Sequence, residues 1–578
     1  MRSSGTALRN YVMAFLGCFV LASLITWPVV VSPSDGLVGH PGNDTWNHAW
    51  GLWWVVDGLW NRGGVPTHTG LLNYPDGGSL FFIDTFNAIL TAPAQKWFGL
   101  PVAYNAAVFF GVLWTAFGAW CLAFHVCRDR VGASVAAVAY GCNAHLLGQT
   151  YNGITETINA GWIPFFLLAL LRLIERPSAR RGLLMGLCFG ICALSNFYYG
   201  LFCLLIGVVV VLHAGLSDLR SVRWKAFFGS AILGGIVALL LVLPVLITLS
   251  STMSQADAMV SRDPEFVWES LLNHNYTDVV GFFRPGKVYS PDLKMEYGEE
   301  LIIVTYLGWV LLALVALCIV MHRRRSELSL WIVLMTVFLV FALGPYLHVG
   351  SGDPLTVGGR PIPLPFLPFF EAFPLFSRIS HPFRFVVPAI LAMSVLAALG
   401  TRILLRGFQR RVRWGWAAVI VAAICGEILL ASPAVWPLPR SSAEVPEVYK
   451  DLDEGAVLDL PITVPNLERG VYTYFQTVHG QPSPYGLNEP VPSRLRQNRL
   501  TDFLLYIEAG RSIALPRQLP ELELMLGAEL LRRQGYRYIV MHESLYTKPK
   551  ARMIQTVLDA VLGPPRKYLE EGVALYEI

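Results

Sequence analysis

Eleven apolar runs punctuate the chain, near residues 11–31, 102–126, 131–147, 158–174, 182–195, 199–215, 226–249, 301–321, 328–344, 385–405 and 415–434. Each is read as a membrane-crossing helix, although several fall short of the ~20 residues that a perpendicular span needs. The connections support the count, because every second one is short and basic. Arg2 and Arg9 precede the first run, Arg128 and Arg130 follow the second, and Arg172, Arg176, Arg180 and Arg181 follow the fourth. Arg220, Arg223 and Lys225 follow the sixth, Arg323 to Arg325 the eighth, and Arg402, Arg406, Arg410, Arg411 and Arg413 the tenth. Short cationic connections stay on the cytoplasmic side. The pattern therefore predicts a cytoplasmic N-terminus and an extracytoplasmic C-terminus. Two readings compete at 182–215: one long bent helix, or two spans broken at Asn196-Phe197-Tyr198-Tyr199. A single helix would place Arg323 to Arg325 outside, so two spans are predicted.

The outer connections differ in kind. The first, 32–101, is long and rich in Gly, Pro and Trp. The second, 148–157, is short and carries Glu156; the third, 250–300, carries His274, Arg284 and Lys287; the fourth, 345–384, is Pro-rich and ends in SRISHPFRF. After the last run comes a polar tail, 435–578. It has strand-like runs at Ala456–Ile462, Tyr536–His542 and Val573–Ile578, and helical patterns near 518–534 and 551–562. Strands alternating with helices predict a small α/β domain. The expected organisation is a transmembrane domain over 1–434, holding the 32–101 loop, and an extracytoplasmic domain over 435–578.

Composition agrees. Of 578 residues, 54% are hydrophobic and 15% charged, against about 25% charged in soluble domains. The protein is therefore read as a polytopic α-helical membrane protein, with the lipid bilayer as one partner and no nucleic-acid partner. None of the nine cysteines lies in the polar tail, which excludes a disulfide framework or a cysteine zinc site there.

The chemistry concentrates in a few places. In GHPGNDTWNHAWGLWW, residues 39–54, Asp44 and His48 are four apart, and Trp46, Trp50 and Trp53 recur at helical spacing. On a helix the carboxylate and imidazole share one face and the indoles another. Asp44 is read either as a helix cap or as a general base or metal ligand. The tryptophans read as an interfacial belt or a sugar-stacking surface. Glu156 sits in a polar island, YNGITETIN, between apolar runs, where ionisable groups are functional candidates. Arg378, His381 and Arg384 cluster where outer loops are otherwise poor in arginine. A guanidinium there suits a phosphate oxygen or a lipid headgroup. Asn43 and Asn275 each open an N-glycosylation sequon.

With these residues in view, the layout resembles the GT-C superfamily of membrane glycosyltransferases. Those proteins combine a polytopic bundle with a large first outer loop carrying an acidic residue soon after the first span, matched here by Asp44. A second acidic residue lies in the next outer loop, matched by Glu156, and often a soluble outer domain closes the chain. The superfamily's paired acidic motif is reduced here to one carboxylate, since Asn43 precedes Asp44. The resemblance implies an inverting transfer of a sugar from a polyprenyl-phosphate donor to a saccharide or protein acceptor on the extracytoplasmic side. It casts Asp44 as base with His48 beside it. Glu156 would position the acceptor or, with Asp44, hold a divalent cation such as Mg or Mn. Arg378, His381 and Arg384 would bind the donor phosphate, and Trp46, Trp50, Asn196 and Tyr199 would line the sugar and acceptor site. The rival readings are a transporter or flippase of a lipid-linked saccharide and a non-catalytic assembly factor. The ionisable groups gather at the outer rim rather than deep in the spans, which favours surface chemistry over transport.

Overall fold

The computed structural model describes residues 2–64, 66–82, 84–217, 222–259, 264–273, 275–285, 301–322, 325–350, 352–374, 376–510, 521–569 and 572–578. Arg220, His274, Lys287, Arg323 and Arg324, singled out above, lie outside the described residues.

Every apolar run contains a helix. The first is α1 (Arg2–Ile25). The long loop that follows holds β1 (Gly36–Val38), α2 (Thr45–Asn61), the hairpin β2 (His68–Thr69) and β3 (Gly78–Ser79), and α3 (Thr85–Phe98). Next come α4 (Leu100–Cys127), α5 (Arg130–Gly141) and α6 (Ala144–Asn152), the last pair divided where Asn143 caps α6 by accepting from Leu146 N at 2.8 Å. The short α7 (Thr155–Ile158) leads into α8 (Trp162–Glu175). The contested run 182–215 is two helices, α9 (Ala179–Ser195) and α10 (Phe197–Ser217), broken at Asn196, whose backbone is extended. Then follow α11 (Trp224–Met253), α12 (Pro264–Asn273), α13 (Trp309–Met321) and α14 (Arg325–Ala342). After the small hairpin β4 (Thr356–Val357) and β5 (Arg360–Pro361) come α15 (Phe366–Ala372), α16 (Val386–Leu404) and α17 (Arg410–Ala431).

Among the described residues, eight helical segments are long and apolar enough to cross a membrane; α13 and α14 are shorter apolar helices. One expected span needs correcting. The run 301–321 is helical only from Trp309, and residues 301–308 are not helical. Side chains of α6 engage this stretch: Asn152 bonds both the N–H and the carbonyl of Ile302 (3.0 and 2.8 Å), and His145 Nδ1 lies 3.1 Å from the Val304 carbonyl. Glu427 of α17 accepts from the backbone N–H groups of Trp309 and Val310 at 2.6 and 2.9 Å, so a carboxylate satisfies donors at the start of α13.

Helix position in the bundle sorts by enclosure. The span ending in α16 is 100% buried over its most apolar window, whereas that of α11 is 17% buried. The α9–α11 contact is close because Gly186 has no Cβ; one added there would lie 1.9 Å from the Gly234 carbonyl oxygen.

The tail holds a four-stranded sheet in the order β7 (Ala456–Leu460), β8 (Tyr536–His542), β10 (Val573–Glu577), β9 (Lys567–Leu569). The β7–β8 pair is parallel and the other pairs antiparallel. Its helices are α18 (Asn466–His479), α19 (Ser493–Gln497), α20 (Arg499–Glu508), α21 (Glu521–Arg533) and α22 (Lys548–Leu562). Between the last span and this sheet, β6 (Arg440–Ser442) pairs antiparallel with β1 of the first loop, Gly36 opposite Ser442. Arg440 reinforces the joint by donating to the Ser32 hydroxyl and carbonyl, both at 2.7 Å. Tyr536 donates to the Tyr74 carbonyl, Gln476 to the Leu71 carbonyl, and Asn73 to Glu489. The first loop is thus held between bundle and tail.

Candidate active site at the rim of the bundle

Helix α2 places the first two groups. Asp44 precedes it, but its carboxylate makes no capping bond to the backbone; Oδ1 accepts from Asn47 Nδ2 at 3.2 Å. Asn43, fully buried, donates to Asn152 Oδ1 at 3.2 Å and pins the loop to α6. Asn275 is also buried. Neither sequon is open to a glycan in the folded chain.

One turn on, His48 faces α7. Its Nδ1 lies 3.0 Å from Thr155 Oγ1, and the Thr155 hydroxyl is hydrogen-bonded to Asp84 Oδ2. Asp84 stands just before α3, fully buried, and its Oδ1 has no hydrogen-bond partner among the described residues. Burial and the nearby negative charge of Glu156 push the Asp84 carboxyl well above the usual carboxylate range, although the Thr155 hydroxyl and the nearby amide groups of Asn87 pull the other way. Burial and the Arg384 charge push His48 down to about 3.

Glu156 and Arg384 lie 3.6 Å apart and are both buried, though 228 residues separate them in the chain. The Arg384 guanidinium sits over the Tyr198 ring, 4.8 Å from its centroid, a cation–π contact. Its Nε, also buried, has no hydrogen-bond partner among the described residues. His381 meets the same tyrosine, with Nδ1 3.5 Å from the Tyr198 hydroxyl and 2.7 Å from Ser380 Oγ. Arg384 lies in a 3-10 turn, Pro382–Phe385, that runs into α16, which places it and His381 on one side of the chain. Arg378 belongs to an earlier 3-10 turn and is exposed, so the expected trio divides. Tyr199 donates to the Thr157 carbonyl, and Asn196 accepts from Tyr198 N at 2.8 Å, so both brace α7 and the start of α10 beside the pair.

Trp46 and Trp50 are elsewhere. Their stripe faces α18 of the tail: Trp46 packs against Tyr474 with ring centroids 5.2 Å apart, and Trp50 donates to Gln476 Oε1 at 2.9 Å while stacking on Trp54. Both indoles are buried in that contact, which corrects the expectation of a sugar-lining or lipid-facing surface. Among the described residues no three His, Cys, Asp or Glu side chains gather in one group. Glu156 faces a guanidinium. The residues that sequence reasoning missed are Asp84 and Thr155. A lone acid after Leu80-Phe81-Phe82-Ile83 was the available signal for Asp84.

No protein-family model matches the chain, and no curated protein matches it by sequence. Solved structures do match. Arabinofuranosyltransferase AftD from Mycobacteria superposes with a TM-score of 0.55 at 13% identity, over 99% of this chain and 40% of that one. A mutant form of the same enzyme gives 0.51 at 15% identity, over 93% and 36%. An oligosaccharyltransferase from Archaeoglobus fulgidus, at 14% identity over 98% of this chain and 72% of that one, reaches 0.47. This chain therefore spans about two fifths of the arabinofuranosyltransferase whose fold it shares. The chain shares the polytopic membrane fold of that arabinofuranosyltransferase, in keeping with the layout of its loops and spans.

Proposed function

We propose that the protein transfers a sugar from a polyprenyl phosphate to a hydroxyl-bearing acceptor on the extracytoplasmic side of the plasma membrane. The observation that carries this reading is Arg384. It is a buried guanidinium with an unused N–H, held at the end of a span beside a polar cluster. A polyprenyl phosphate carries its charge at the depth of such a rim, and a planar guanidinium binds phosphate through charge-assisted hydrogen bonds. His381, on the same side, assists. Asp44 takes the acceptor's proton as general base. The acceptor oxygen then bonds to the anomeric carbon from the side opposite the departing phosphate, inverting the centre. Arg384 stabilises the charge that grows on the phosphate. Glu156 orients Arg384 and positions the acceptor, a saccharide or protein. The alternation of basic connections supports an extracytoplasmic tail.

The test is direct. The purified protein, in lipid nanodiscs with a set of synthetic polyprenyl-phosphate sugars and candidate acceptors, should release polyprenyl phosphate and form a glycoside of inverted configuration. Movement of the lipid-linked saccharide across vesicles with no bond cleaved would replace the enzyme by the transporter reading. A chelator added to the same assay decides whether a divalent cation takes part. Protease added to intact spheroplasts should remove the tail, and full protection would reverse the proposed orientation.

A further inference from the structure

The row His48–Thr155–Asp84 has no part in that scheme, and its direction can be worked out. Thr155 has one hydroxyl proton, so the row is wired in one of two ways. With Asp84 ionised, Thr155 donates to Asp84 and His48 donates from Nδ1 to Thr155; Nε2 is then a bare acceptor in a neutral imidazole and carries a hydrogen only in a charged one. With Asp84 neutral, its proton goes to Thr155, Thr155 donates to His48 Nδ1, and Nε2 carries the hydrogen.

Three observations favour the second wiring. Asp84 is fully enclosed, and its Oδ1 has no partner among the described residues. An ionised carboxylate there would be a charge in a dry site met only by the Thr155 hydroxyl, the Asn87 amide groups and an imidazole nitrogen 4.0 Å away, which is costly. Glu156, the neighbour of Thr155 in the chain, already supplies one negative charge, and its described cation, Arg384, lies 3.6 Å away. Burial also disfavours ionisation of both end groups of the row. A neutral acid with its proton on Oδ2 finds Thr155 Oγ1 directly in place. The imidazole that results has its Nδ1 engaged, while no partner takes its Nε2 among the described residues.

We propose that Asp84 is a neutral carboxylic acid which, through Thr155, fixes His48 as an Nε2–H donor, and that this N–H binds the donor phosphate together with Arg384. The inference rests on the polyprenyl-phosphate reading and adds a second phosphate group-binder to it. A neutral donor suits the position, because a second cation beside Arg384 would repel it. Donors aimed at the phosphate gain strength as the sugar leaves and negative charge develops. In this arrangement His48 contacts the ligand, while Thr155 and Asp84 are positioning residues.

The experiment needs no chemistry from the protein. Nitrogen NMR of the histidine-labelled full chain in nanodiscs, with H48Q to identify the signal, should show His48 protonated at Nε2 and neutral at pH 7. Binding of a polyprenyl phosphate, measured on the same samples, should weaken about tenfold in T155V, with the tautomer no longer fixed, and recover in T155S. D84N keeps an N–H to donate to Thr155, so its binding should stay within about threefold of the parent, whereas D84L should match T155V. A proton on Nδ1 in the parent protein, or D84N as weak as D84L, overturns the proposal. Sugar transfer in these samples separates the two claims. The expected tautomer and binding pattern without transfer would sustain the phosphate site and remove the enzyme reading; transfer with the opposite tautomer would remove the phosphate role of His48 alone.

Discussion

The two faces of α2 were made from one short sequence and do opposite work. One face carries His48, and its N-terminal end carries Asp44; it looks toward α7 and the rim of the spans. The other carries Trp46, Trp50 and Trp54 and is closed by the tail. The polar face packs His48 edge-on to Phe82, ring centroids 5.9 Å apart, and holds the groups proposed above to move a proton or meet a phosphate. The aromatic face has no open group and supplies grip. A helix anchored on one side by large indoles can hold the other side in a fixed attitude without using the reactive groups as supports.

That division can be broken one face at a time. Asp44→Asn retains the size of the side chain but not the base, and should lower transfer by about 10²–10⁴-fold with the thermal midpoint unchanged. Turnover under saturating donor is the measurement, and near-parental rates would return Asp44 to a structural part. Trp50→Ala empties a fully buried site, and should cost about 3–5 kcal/mol. Limited proteolysis should then release the tail at temperatures the parent resists. Arg384→Ala should weaken polyprenyl-phosphate binding about ten- to a hundredfold, with Arg384→Lys recovering part and exposed Arg378→Ala close to the parent. Equal losses in both alanine variants would undo the split within the basic cluster. The smallest effect probes the link between the faces. A Cβ at Gly470 would stand 3.0 Å from Trp46 Cβ and 3.1 Å from Asn47 Oδ1, and Asn47 holds Asp44. Gly470→Ala should cost about 1 kcal/mol of stability and lower turnover a few-fold. A fall in melting temperature at constant turnover would show that the faces are independent.

How much of this was legible depended on whether the deciding contact was local. The apolar runs and the alternating basic connections are local, and each run contains a helix. So is the polar break at Asn196, which divided α9 from α10 as expected. Residues 301–308, LIIVTYLG, have the composition of a span; the hydrogen bonds that hold their backbone come from Asn152 and His145, some 150 residues away. The spacing of Asp44 and His48 is helical and readable. The Glu156–Arg384 pair is not, since nothing in either segment names the other. The indole stripe was visible, but what covers it was not, because α18 reads as a mostly polar stretch, NLERGVYTYFQTVH, and was missed as a helix. The three-residue β9 is too short to leave a pattern, and it exists because β10 offers it an edge.

The pairing of β1 with β6 also sets a schedule. Gly36 meets Ser442, so the first loop waits for about 400 residues of further synthesis before its strand has a partner. At typical elongation rates that is about 20–80 s. Through that interval Trp46 and Trp50 have no α18 to cover them, and the attitude of α2 rests on the bundle alone. An unfinished chain is therefore sticky where the finished one is sealed. The candidate site reaches its working shape only when the last span and the tail have been made, so premature termination leaves a membrane protein with its spans in place and its chemistry unassembled.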